Sequence, residues 1–136
     1  MRIAIPILWL LLAGAAAQAG EADVKAAQSV IDGQIAAFRA GDNVAAYGLA
    51  SPGIKRIFPT LESFMAMVGG YQPVYRPKSY AFGKADELGN GRILQRVMVV
   101  GPDGKDYEAV YMMERQPDGT FRISGVSLHE ANTVST

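Results

Sequence analysis

The chain has no cysteine, one histidine and no excess of charge, with 13 basic and 13 acidic residues among 136. Without thiols, neither a disulfide framework nor a thiolate metal site can form, so stability has to come from packing. A single imidazole, His129, excludes zinc held by several histidines, and no run of Asp and Glu has the spacing of an oxygen-ligand loop. No metal and no cofactor are expected. Neutral charge argues against nucleic acid or an anionic membrane as the main partner. The one long apolar run, residues 3–14, is shorter than the roughly 20 residues that a bilayer span requires.

That run does fit a secretory signal. Arg2 precedes it, and Ala17-Gln18-Ala19 offers small side chains at the two positions a signal peptidase reads. Cleavage is expected after Ala19, with an uncleaved N-terminal anchor as the alternative. No Cys follows that could carry lipid. Residues 1–19 are read as a signal peptide, 20–130 as one domain and 131–136 as a flexible tail, which makes the protein periplasmic or secreted, with no membrane association after cleavage. Removing 19 of 136 residues leaves 117, enough for a single core. Loss of Arg2 leaves 12 basic against 13 acidic residues, still near neutrality.

Helices come first. Val24, Ala27, Ile31, Ile35 and Phe38 recur at three- and four-residue steps, with Lys25, Gln28, Asp32 and Arg39 assigned to the opposite side, which predicts an amphipathic helix over 21–40. Gly41 suits its left-handed cap and Asp42 the N-cap of a second helix over 43–50. Ser51-Pro52-Gly53 reads as a break followed by one apolar turn. Thr60 then caps a helix carrying Leu61, Phe64, Met65 and Val68, which Gly69-Gly70 ends. Pro73 and Pro77 make 71–78 irregular or an edge strand, because each removes a ladder donor.

Strands follow. Tyr80 and Phe82 alternate in a first strand, and the runs 92–100, 105–115 and 120–130 are separated by two Pro-Asp-Gly turns. Pairing Glu114 with Arg122 sets a register. Extended evenly, it puts Tyr107, Ala109, Tyr111, Met113, Phe121, Ile123, Gly125, Ser127 and His129 on the helix-facing side. Val110, Met112, Val126 and Leu128 then share the outer side with charged residues. Such a patch usually finds cover, and a sheet-to-sheet homodimer is the expected cover, against a monomer shielded by charged stems and the tail.

Four segments carry a likeness: Val30-Ile31-Asp32-Gly33-Gln34-Ile35-Ala36-Ala37-Phe38, Leu49-Ala50-Ser51-Pro52-Gly53-Ile54, Pro73-Val74-Tyr75-Arg76-Pro77 and Met113-Glu114-Arg115-Gln116-Pro117-Asp118-Gly119. In these the chain resembles the bacterial DUF4864 family over nearly all of its mature length. The resemblance implies an α+β domain of the nuclear-transport-factor-2-like (NTF2-like) or cystatin-like kind, with helices packed on a curved four-stranded antiparallel meander. It brings no catalytic residues, because the family's function is unknown and the fold hosts enzymes and binding modules alike.

Polar residues on the helix-facing side are the candidate ligand contacts: Gln95, Tyr107, Tyr111, Ser127 and His129, with Tyr107 expected beside His129 and Gln95 beside Tyr111. Ser127 and His129 do not make a hydrolase, since no oxyanion-hole turn or third orienting carboxylate accompanies them. Between two prolines, Tyr75 and Arg76 are expected to be extended and to contact an anion or a partner, or else to pack locally. The glycine turns do not open helices and so do not cradle phosphate. The expected function is non-catalytic: an exported domain that binds a small ligand in the helix–sheet cavity or a protein partner on its sheet. A small acid-base enzyme using His129 or Tyr111 is the alternative, and a structural dimerisation module the third. A closed cavity filled by Phe38, Met113 and Ile123 would favour the module, and an open one with several polar tips would favour binding.

Overall fold

The computed structural model describes residues 8–131; the start of the expected signal peptide, 1–7, and most of the expected tail, 132–136, lie outside the described residues. Five helices precede four strands: α1 (Leu8–Arg39), α2 (Asn43–Gly48), α3 (Pro52–Ile57), α4 (Leu61–Val68), α5 (Gln72–Tyr75), then β1 (Ser79–Gly89), β2 (Arg92–Val100), β3 (Asp106–Arg115) and β4 (Phe121–Glu130). The strands form an open antiparallel meander in the order β1-β2-β3-β4, so the chain is α+β.

Local chemistry explains the boundaries. Gly41, at φ 74°, ends α1 in the left-handed region, where a missing Cβ costs nothing. Asp42 caps α2 by accepting from Ala45 N, and Thr60 and Ser63 form a reciprocal capping box on α4. Two expectations change. Ser51 accepts from Ile54 N and Pro52 occupies the first turn, so the presumed break is the start of α3. Likewise Pro73 sits in the first turn of α5, where its lost N–H would have been unpaired anyway. Residues 72–75 are therefore helical rather than extended.

Three register shifts shape the sheet: two in β1, the second leaving Leu88 extra between the pairs Glu87 with Ile93 and Gly89 with Arg92, and one in β4. In β1 the residues Gly83 and Lys84 oppose Arg96 alone. In β4 the pairs Met112 with Gly125 and Met113 with Ile123 leave Ser124 as an extra residue, and its hydroxyl donates to Met112 O at 3.2 Å. Glu114 does pair with Arg122. Beyond the bulge the side-chain alternation is inverted: Val126 opposes Tyr111 and Leu128 opposes Ala109 on the inner face, while Ser127 and His129 oppose Val110 and Glu108 on the outer one. Two of the four apolar residues on which a sheet-to-sheet dimer was expected thus turn inward.

The core has two parts. Ala27, Ile31 and Ile35 of α1 pack on Ile93, Val97, Val99, Ala109, Tyr111, Met113, Phe121 and Ile123 of the sheet. Phe38, at the end of α1, joins Ala46, Ala50, Phe64 and Val68 in a second, helical cluster.

Candidate functional site

The two clusters meet without filling the space between them. Phe38, Ala50, Phe64 and Val68 on one side face Val74, Ile123 and Val126 on the other across a cavity of about 210 Å³. Half-buried Ile54, Phe58, Met67 and Tyr71 complete its lining. Three local features build the walls. The β4 bulge turns Val126 inward. Backbone bonds from Ser51 N to Ile123 O and from Ile123 N to Leu49 O, both 2.9 Å, fasten the α2–α3 junction to β4 and set Ala50 beside Ile123. The helical turn of α5 carries Val74 to the wall.

One amide interrupts this apolar lining. Gln34 is 7 % exposed, because position 34 lies between Ile31 and Phe38 on the buried stripe of α1. Its Nε2 donates to Ala46 O at 3.1 Å and ties α1 to α2. Its Oε1 accepts no hydrogen bond from the described residues, and it is not among their fully buried partnerless atoms, of which Asn43 Oδ1 is one. No Asp, Glu, Lys, Arg or His lines the cavity, and Tyr71 is its one titratable group. The site therefore offers apolar contact and, at Gln34, a hydrogen-bond acceptor with one N–H left to donate.

None of the ligand or anion contacts expected from the sequence, Gln95, Tyr107, Tyr111, Ser127, His129, Tyr75 and Arg76, lines this cavity. Gln95 and Tyr111 do face each other across β2 and β3, and both are fully buried. The Gln95 amide is fully committed. Its Oε1 accepts from Gln28 Nε2 at 3.0 Å, and its Nε2 donates to Arg96 O at 2.8 Å, Gly83 O at 3.0 Å and, more weakly, Lys84 O at 3.4 Å. It supplies the carbonyls that the β1 bulge strips of ladder partners. Gln28 consequently points at the sheet, not at solvent. Burial, with a smaller contribution from neighbouring Tyr80, pushes the Tyr111 hydroxyl well above the usual phenolic range.

Tyr107 is not beside His129: its partner across β4 is Glu130. Its hydroxyl donates to Asp103 Oδ2 at 2.6 Å, and Asp103 Oδ1 accepts from Lys105 N, so the pair staples the β2–β3 turn. That bond raises Tyr107 to about 12 and lowers Asp103. Ser127 and His129 are exposed on the outer face, 3.5 Å apart. Tyr75 packs edge-on against Phe38 with centroids 5.1 Å apart, and exposed Arg76 lies over the Tyr75 ring.

Compared with the alternatives drawn from sequence, Phe38 and Ile123 do bound the cavity, but Met113 is packed away from it and a single amide replaces several polar tips. Gln34 is not among the candidates that the sequence offers. Its signal was an uncharged polar residue on the apolar stripe of α1, at i+3 from Ile31. Elsewhere, among the described residues, no three His, Cys, Asp or Glu side chains group as metal ligands, and no helix is long and apolar enough to cross a membrane.

The model of a domain of unknown function, DUF4864, matches residues 20–136. No curated protein and no solved structure matches the chain.

Proposed function

The chain belongs to the DUF4864 family, whose function is unknown, and on the strength of its own geometry we propose that it is an exported, non-catalytic domain that binds a small, mainly apolar molecule between helices and sheet. The observation that carries this reading is the cavity of about 210 Å³ into which a buried amide is set. A void of about 150 Å³ lined by apolar side chains is enough to take up benzene. Side chains ordinarily close-pack, and the walls of a gap forfeit dispersion contacts that a bound molecule would restore. Acid-base catalysis is disfavoured because His129 is exposed on the far face of the sheet and no carboxylate or imidazole lines the cavity.

Export rests on the leader and the small residues before Gly20, where the family match also begins. The test is mass spectrometry of small molecules carried by the protein purified from its exported compartment, alongside Val68→Phe, which pushes a ring into the cavity. A retained molecule that Val68→Phe excludes supports the reading. An empty wild-type protein with no thermal shift across a panel of small neutral apolar compounds refutes it.

A further inference from the structure

Resting on that reading, we infer that the ligand is a neutral, compact, ring-bearing molecule with one hydrogen-bond donor, of the phenol type, whose hydroxyl donates to Gln34 Oε1. Size comes first. The cavity of about 210 Å³ exceeds what benzene needs but falls below the roughly 300 Å³ at which drug-sized sites begin, so it fits one ring with small substituents. Wall chemistry selects the ring: Phe38, Phe58, Phe64 and Tyr71 supply aromatic edges and faces around it. Charge is selected against. No lining residue carries one, and an ionised group brought there would lose its hydration without a partner.

The polar handle sets the ligand's hydroxyl. Gln34 Nε2 gives one of its two protons to Ala46 O, which fixes the amide's orientation and leaves Oε1 and a second N–H to a ligand. Among apolar walls a partner that can donate to that oxygen is favoured over one that cannot. A ketone or an ether can take only the N–H. A hydroxyl can give its proton to Oε1 and accept from the N–H as well.

The probes are p-cresol, p-xylene and p-toluate, titrated by calorimetry into the exported protein and its Gln34→Met variant. The first two differ by a hydroxyl for a methyl, and the third adds a charge. Wild type should bind p-cresol with a Kd between about 10 µM and 1 mM, and p-toluate should not bind detectably. Gln34→Met should lower the p-cresol to p-xylene affinity ratio by about 3- to 10-fold, the worth of one neutral hydrogen bond. Retained p-xylene binding in the variant shows that its cavity is intact. If both probes bind and the ratio is unchanged, the donor assignment falls while the cavity reading stands. If neither probe binds wild type, both fall together, and p-toluate binding as tightly as p-cresol overturns the neutral class.

Discussion

Replacing Gln95 with leucine separates a structural amide from a ligand contact. Gln95 has no exposed surface, and leucine nearly matches its volume, so the change makes no large cavity. What it removes is the set of bonds to Gln28 Nε2, Arg96 O and Gly83 O. Gly83 is exposed, and water can replace the amide at its carbonyl. Arg96 O and Gln28 Nε2 are less accessible, and each stranded polar group costs about 1–3 kcal/mol. Allowing about 1 kcal/mol for the apolar gain of leucine, the net loss is about 1–5 kcal/mol. For a domain of this size that lowers Tm by about 4–20 °C. Far-UV circular dichroism during urea and thermal unfolding is the assay, because the only tryptophan, Trp9, lies outside the residues 20–136 that the family model matches. Adding Gln28→Ala should cost less in the Gln95→Leu background than alone, since the bond between them is already gone. Binding in the cavity should be unaltered. A loss below about 0.5 kcal/mol, the size of an ordinary surface change, would refute the account of the bulge.

Other outcomes follow from the same geometry. Asp103 is held low, chiefly by the Tyr107 hydroxyl, so its contribution to stability is present above its unfolded pKa of about 3.9 and lost as pH falls through the folded value. Tyr107 is raised to about 12, so its contribution is present below about pH 10 and lost as pH climbs towards 12. Tyr107→Phe should therefore flatten both the acid and the alkaline limbs of a Tm-against-pH curve; unchanged limbs would contradict the staple. Ser127→Ala and His129→Ala should each shift stability by no more than about 0.5 kcal/mol and leave cavity binding intact, and a tenfold loss of binding would restore them as site residues. Processing after Ala19 would free an α-amino group at Gly20, where a Cβ would lie 3.1 Å from Glu87 Oε2. Its pKa, followed by NMR, should sit above the ordinary value of about 8 and drop in Glu87→Gln, and an identical pKa in both proteins would rule out the ion pair.

Much of the architecture was legible because local signals agreed with one another. The three-and-four spacing of α1 places its buried face and its end at Arg39, though the helix begins at Leu8 rather than 21; the Asp42 and Thr60 caps, and the Pro-Asp-Gly turns ending at Gly104 and Gly119, both at positive φ, specify their elements within a few residues. Proline was the misleading signal. At 52 and 73 it was read as a breaker, yet the first turn of a helix needs no N–H from it. The site was harder to see because it depends on how elements meet. Gln34 looks unremarkable until α2 supplies Ala46 O and the two apolar clusters leave a gap around it.

The single inserted residue at Ser124 accounts for both what was misread and what was made. Strand alternation has a period of two, so one extra residue exchanges the faces of everything beyond it, and nothing in the composition of β4 announces the exchange. An unbroken β4 would aim Ser127 and His129 at α1 and leave Val126 and Leu128 in water. The bulge reverses this, with the Ser124 hydroxyl answering the Met112 carbonyl that loses its ladder partner. Val126 then walls the cavity and the imidazole leaves it. The same residue that removes the best acid-base group from the interior gives the interior its apolar wall, so the chemistry of the cavity follows from one bulge in β4.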